Sequence, residues 1–133
     1  MMPVVIGVLS AVAIAAFARS MRFDRDRSFY PTVLIVIAAY YILFAVMGGS
    51  RHALAWELVG AAAFSTMAVL GALHLPVLAG VGIFAHGLFD LVHHTLIEDA
   101  GVPDWWPAFC GSLDVVLGLW VMGLARSSRQ AGC

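Results

Sequence analysis

The chain has 133 residues, of which 62% are hydrophobic and only 11% are charged, and its formal net charge is −1. Soluble domains carry about 25% charged residues, so this composition excludes an ordinary water-soluble domain. The mean hydropathy of +0.96 instead indicates a membrane protein. So few cations also exclude a nucleic-acid partner, because a concentrated basic surface is what attracts a phosphate backbone.

Five apolar runs follow one another along the chain and are separated by short polar breaks. Each run is close to the ~20 residues that a helix needs to cross a bilayer. Pro31 and Pro76 stand near the starts of the second and fourth runs, where proline suits the first turn of a helix. The sequence therefore predicts an all-α, polytopic transmembrane bundle that forms one domain over residues 1–133. The predicted spans are 3–19, 30–48, 53–73, 75–97 and 107–125.

The orientation prediction depends on arginine, because the chain has no lysine. Six arginines follow the first and fifth spans, whereas only Arg51 falls on the opposite side of the membrane. Arginine is enriched in cytoplasmic loops, so this asymmetry predicts an extracytoplasmic N-terminus and a cytoplasmic C-terminus. The six are Arg19, Arg22, Arg25, Arg27, Arg126 and Arg129.

The string HGLFDLVHH places three histidines and one aspartate in the fourth predicted span. At 100° per residue, His86, Asp90, His93 and His94 are predicted to share one helix face over two turns. Because the directions of His93 and His94 differ by 100°, one of these two histidines is expected to face the outer headgroups instead. Gly82 lies on the same face, where the missing side chain would let a neighbouring helix come close.

Glu57 in span three and Asp114 in span five are predicted at about the depth of Asp90. Each lies beside small residues, which are typical of helix-packing surfaces. These are Gly60, Ala61 and Ser65 beside Glu57, and Cys110, Gly111 and Gly118 beside Asp114.

An intramembrane carboxylate costs about 2.5–3.5 kcal/mol on insertion scales, and no arginine is predicted at this depth. Protonated histidine, protons on the carboxylates or a metal ion must therefore neutralise the acids. Histidine nitrogen and carboxylate oxygen from facing helices favour a divalent transition metal, either zinc or iron. The predicted ligands are His86, Asp90, His93, His94, Glu57 and Asp114, and Glu57 and Asp114 are also candidate catalytic residues.

Several of these residues have simpler interpretations. Glu57 alone is more typical of a side chain that snorkels or bonds to a neighbour than of a metal ligand. Cys110 fits a core cysteine or a soft metal ligand, and it lies across the predicted membrane from Cys133, which excludes an intrachain disulfide. Tyr40 and Tyr41 are interpreted as packing residues, one of which could present its hydroxyl to the site.

The motifs resemble those of a small bacterial integral-membrane family of unknown function. WE in span three, HGLFDLVHH in span four, and a cysteine and an aspartate before LGLW in span five follow its WE…HxxxDxxHH…D arrangement. The resemblance covers about the last two thirds of the chain. It groups Trp56 with the acids and histidines, implies a bacterial inner membrane, and names no reaction. The site type is also similar to that of membrane hydrolases that hold zinc between helices.

Three functions fit this pattern. The first is a metal-dependent membrane enzyme, a hydrolase or oxidoreductase, that acts on a lipid-like substrate. The second is a proton or metal-ion transporter. The third is a small assembly subunit without catalysis, in which haem is disfavoured because the histidines lie on one span. Membrane lipids are expected partners in all three, and a homo-oligomer or a larger membrane complex stays open.

Overall fold

The computed structural model describes residues 1–131, which form five long helices and no strand. All five helices are long and apolar enough to cross a membrane. The predicted all-α transmembrane bundle with five spans is therefore confirmed. The helices are α1 Met2–Ser20, α2 Phe29–Gly48, α3 Arg51–Leu73, α4 Val77–Leu96 and α5 Trp106–Ala131.

Most helix ends lie within one residue of the predicted spans, and three differ by more. Helix α3 begins at Arg51 instead of residue 53. Helix α4 begins at Val77 instead of residue 75, because Pro76 occupies the position just before the helix. Helix α5 continues to Ala131, well past the predicted end at residue 125. Its last turns are polar, and the hydroxyl of Ser127 donates to the carbonyl of Gly123. Hydropathy marks the thickness of the hydrocarbon layer, so it cannot locate the end of a helix that continues into water.

The connection between α2 and α3 is only two residues long. Gly49 ends α2 in the left-handed conformation, with φ 69°, which glycine adopts without a Cβ penalty. Ser50 then caps α3, because its hydroxyl accepts a hydrogen bond of 3.1 Å from the backbone N–H of Ala53. This tight turn makes α2 and α3 antiparallel neighbours.

Helix α4 contacts α2, α3 and α5, and α5 also contacts α1. Helices α4 and α5 come very close, since a Cβ on Gly87 would lie 2.8 Å from the carbonyl oxygen of Gly111. A Cβ on Gly118 would lie 2.5 Å from the backbone nitrogen of Phe84. The predicted packing roles of Gly111 and Gly118 are therefore confirmed. Small residues let two backbones approach in this way.

The other two glycine predictions have different outcomes. A Cβ on Gly82 would clash with the side chain of Leu34, so the predicted close approach of a helix to Gly82 is confirmed, and that helix is α2. The predicted packing role of Gly60 is wrong, because a Cβ there would meet nothing within 4 Å. The buried residues of α3 include Ala53, Glu57 and Ala68, and Gly60 lies at the edge of their face.

Candidate metal centre

Four potential metal ligands from α4 and α5 lie together in the bundle. They are His86, Asp90, Cys110 and Asp114, and one donor atom from each lies within 4.8 Å of the others. We call these four residues the donor cluster. All four side chains are buried, and Asp90 and Asp114 have no exposed surface. Each helix contributes two residues spaced four apart, which project from the same face of a helix.

Hydrogen bonds satisfy one oxygen of each carboxylate in the donor cluster. Nδ1 of His86 lies 2.8 Å from Oδ2 of Asp114 and 3.6 Å from Oδ1 of Asp90. The thiol of Cys110 donates to the same Asp114 oxygen at 3.7 Å. The hydroxyl of Tyr41 on α2 donates to Oδ1 of Asp90 at 2.6 Å. The cluster is therefore tied to three helices.

The remaining two carboxylate oxygens have no partner in the described part of the chain. Oδ2 of Asp90 and Oδ1 of Asp114 are both buried and accept no hydrogen bond from the residues that the structure describes. A buried acceptor without a partner costs about 1–3 kcal/mol, and more when it is charged. Native proteins contain few such groups, so each one needs an explanation such as a bound ion.

Arginine does not neutralise these acids. Within the described part of the chain, the ion pair that involves arginine joins Arg19 to Asp24 at 3.8 Å, in the region of the α1–α2 connection. The basic side chain that the described residues bring next to Asp90 and Asp114 is instead the imidazole of His86.

Glu57 and His93 form a second buried group. Nε2 of His93 lies 2.5 Å from Oε1 of Glu57, which joins α4 to α3, and both side chains are at most 2% exposed. The ring of Tyr41 stacks on the ring of His93 with centroids 4.1 Å apart. The structure thus brings five of the six predicted ligands into one region, but divides them between the donor cluster and the Glu57–His93 pair.

His94 is the predicted ligand that the structure does not bring to this region. Its side chain is exposed, whereas that of His93 is buried, so His94 does not join the other three polar residues of α4 inside the bundle. The 100° between successive residues turns His94 away from the bundle. The sequence left open which of the two histidines faces out, and the structure identifies His94.

Cys110 and Tyr41 contact the site more directly than the sequence indicates. Cys110 precedes Asp114 by four residues, and the same spacing separates His86 from Asp90 on the facing helix. This repeated spacing is the signal in the sequence that indicates Cys110 as a potential ligand. Cys110 is a free, buried thiol, and Cys133, its excluded disulfide partner, lies outside the described residues.

A cavity of about 510 Å³ lies beside the loop that connects α4 to α5. Its lining contains His93 and His94 together with three acidic residues, and it includes no member of the donor cluster. The cavity therefore reaches His93, which contacts Glu57, from the end of the bundle. The acidic residues are Glu98, Asp99 and Asp104.

Residues 2–127 match the model of a protein family that is described as a family of unknown function, DUF6010. The chain belongs to this family. The expected membership in a family of unknown function is confirmed, and the match extends over α1 and the arginine-rich connection as well as the last two thirds of the chain. No curated protein and no solved structure matches the chain.

In this DUF6010 member, the donor cluster offers one imidazole nitrogen, one thiol and two carboxylates. Nitrogen, oxygen and sulfur ligands together suit a borderline metal such as zinc, and iron also accepts them. The free oxygens of Asp90 and Asp114 fit such an ion, because an ion would supply the partner that each oxygen lacks. A buried cluster of this kind could therefore hold a metal ion.

Proposed function

We propose that this integral membrane protein binds a divalent transition metal between α4 and α5, with zinc or iron as the ion. The ligands would come from His86, Asp90, Asp114 and Cys110. One observation carries the proposal: two carboxylates that are fully buried in an apolar bundle each keep an oxygen without a partner among the described residues. Protons alone would neutralise the charge, but a protonated oxygen would still need an acceptor.

The more specific form of the proposal is a metal-dependent enzyme, a hydrolase or an oxidoreductase, that acts on a lipid-phase substrate. A divalent metal would supply Lewis acidity at the donor cluster. Within this proposal Asp114 serves as a ligand through Oδ1, the oxygen that has no partner among the described residues. Glu57 would act as the nearby proton acceptor, oriented by its contact with Nε2 of His93.

The second candidate is a pathway for a cation or a proton. The cavity beside the α4–α5 loop favours it, because an acidic lining attracts cations and His93 forms part of that lining. In this function a proton or cation from the cavity would first reach the buried Glu57–His93 pair. Tyr41 would lie between that pair and Asp90. Substitution of Asp90 would then reduce the flux of the proton or cation, and no catalysed reaction would be lost.

We also propose an orientation for the chain and a membrane in which it lies. The arginine asymmetry supports an extracytoplasmic N-terminus, which would place the α4–α5 loop and the Glu57–His93 pair near the outer surface. We propose a bacterial inner membrane, a single domain over residues 1–133, and lipids as the immediate partners. A homo-oligomer or a larger membrane complex is compatible with this arrangement.

The test is elemental analysis of the full chain purified in a neutral detergent, together with an absorption spectrum. We expect close to one zinc or iron per chain in the wild type. Asp90→Asn should lower this occupancy, because it removes an anionic ligand while keeping the side-chain shape. Asp26→Asn, at an exposed position near the other end of the bundle, is the matched control and should retain the metal.

Two results would contradict the metal proposal. One is a wild-type protein that stays free of metal after incubation with zinc or iron(II). The other is an Asp90→Asn variant with unchanged occupancy. If that variant keeps its metal and loses a pH-dependent flux in liposomes, the pathway function replaces the metal enzyme.

A further inference from the structure

A second cavity, of about 840 Å³, lies at the other end of the bundle from the α4–α5 loop. Four arginines of the α1–α2 region contribute to its lining, namely Arg19, Arg22, Arg25 and Arg27. Other parts of the lining are apolar and come from the start of α4 and the end of α5, with Val77, Ala79, Val121 and Leu124. The cavity therefore combines a basic part with a hydrocarbon part. Its volume is within the range of about 300–1,000 Å³ that small-molecule sites occupy.

The positive charge in this cavity is only partly matched. Arg19 pairs with Asp24 at 3.8 Å, while Arg22, Arg25 and Arg27 form no ion pair with any residue that the structure describes. The other acid of the lining, Asp26, accepts hydrogen bonds from the backbone N–H and the hydroxyl of Ser28, at 2.9 and 2.7 Å. These bonds lower the pKa of Asp26 and keep it ionised, so the two acids of the lining offset two of its four arginines. An excess of arginine charge thus lines the cavity.

Tyr30 provides an independent observation in the same cavity. Its side chain lines the cavity and is only 4% exposed, and its hydroxyl has no hydrogen-bond partner among the described residues. Trp120 lies near this hydroxyl, but an indole N–H only donates and cannot accept the hydroxyl proton. A buried donor without an acceptor is costly. An oxygen atom of a bound anion would satisfy it.

We propose that this cavity binds an anionic amphiphile whose phosphate headgroup contacts Arg25, Arg27 and Tyr30. The planar guanidinium group suits a phosphate, because it offers two parallel N–H donors. The hydrocarbon chain of the ligand lies against the apolar lining from α4 and α5. This site is separate from the donor cluster and does not depend on the proposed metal function.

The positive-inside rule explains why arginines occur on this side of the membrane, but it does not explain their position around a cavity. It also says nothing about a buried tyrosine hydroxyl without an acceptor. Arg126 separates the two explanations, since it is exposed near the same end of the bundle and does not line the cavity. A surface charge effect would involve Arg126 equally, whereas a bound ligand would not.

The test is native mass spectrometry of the full chain in dodecyl maltoside, with dodecyl phosphate as the probe. Inorganic phosphate and dodecanol are tested separately, because they represent the headgroup alone and the hydrocarbon part alone. We expect one dodecyl phosphate per wild-type chain at concentrations at which neither fragment binds. The double variant Arg25→Gln/Arg27→Gln should weaken binding about tenfold or more, because charge-assisted hydrogen bonds are lost.

Tyr30→Phe keeps the ring and removes only the hydroxyl, so it tests the site even if the double variant fails to fold. It should weaken the binding of dodecyl phosphate several-fold. Arg126→Gln carries the same change of charge as one arginine substitution and should bind like the wild type. Equal weakening by Arg126→Gln would overturn the proposal, as would a Tyr30→Phe variant with wild-type affinity. Inorganic phosphate that binds as tightly as dodecyl phosphate would also overturn it.

Discussion

The hydroxyl of Tyr41 donates a 2.6 Å hydrogen bond to Oδ1 of Asp90, although the two residues lie 49 positions apart in the chain. The ring of the same tyrosine stacks on His93, which pairs with Glu57. One side chain from α2 therefore contacts both buried polar groups. It holds Asp90 by one oxygen, while the other oxygen, Oδ2, accepts no hydrogen bond from the residues that the structure describes.

Tyr41→Phe removes this hydrogen bond and keeps the stacked ring. A hydrogen bond to a charged group contributes about 1.5–3 kcal/mol, so we expect the free energy of unfolding to fall by roughly that amount. Chemical unfolding in detergent measures it. Tyr40→Phe is the control, because Tyr40 is the neighbouring residue and its side chain is exposed. Equal destabilisation by both variants would show that the bond to Asp90 contributes nothing specific.

Asp90→Asn and Asp114→Asn should each lower the metal content of the purified protein. Their effects on the metal dissociation constant should be strongly non-additive, because a second lost ligand has little left to hold once the ion has gone. Titration with zinc, for the two single variants and the double variant, measures this coupling. Strictly additive effects would mean that the two carboxylates, which contact His86 in common, do not share an ion.

His93→Ala should destabilise the protein by about 3–5 kcal/mol, since it leaves the buried Glu57 without its partner. His94→Ala is the adjacent control and should change stability by about 0.5 kcal/mol or less, because His94 is exposed. Adding Glu57→Gln to His93→Ala should restore part of the loss, as it removes the unpaired charge. The absence of any restoration would argue against a charged pair.

Gly118→Ala should push α4 and α5 apart, because the new Cβ would lie 2.5 Å from the backbone of Phe84. Overpacking costs about 1–3 kcal/mol, and the displaced helices should also bind metal more weakly. Gly123→Ala, on the same helix, meets open space and should be neutral or slightly stabilising. Thermal unfolding and metal titration of the two variants provide the comparison.

The α4–α5 loop should lie outside the cytoplasm if the arginine asymmetry determines orientation. Reporter fusions within residues 98–104 test this, and a second fusion after residue 28 should report the opposite side. A cytoplasmic signal from the 98–104 loop would reverse the proposed orientation. The bundle and its buried groups would be unaffected by that result.

The spans and most of the polar region could be predicted because hydropathy and helical spacing are local properties of the sequence. The spacing also required His93 and His94 to differ in direction, but the rotation of α4 about its axis depends on the helices that contact it. The same limit applies to Tyr41, which reaches Asp90 only because α2 contacts α4. The separation of the Glu57–His93 pair from the donor cluster likewise depends on how α3 and α5 are displaced relative to each other along the bundle axis.

The packing of α4 among α2, α3 and α5 has a consequence for how the chain enters the membrane. Helix α4 has the lowest mean hydropathy of the five spans, and Asp90 alone adds about 2.5–3.5 kcal/mol to the cost of its transfer from the translocon into lipid. The glycines of α4 and α5 provide a close-fitting surface only when both helices are present. We therefore expect α4 to wait at the translocon until α5 has been synthesised, and the two to integrate as a hairpin.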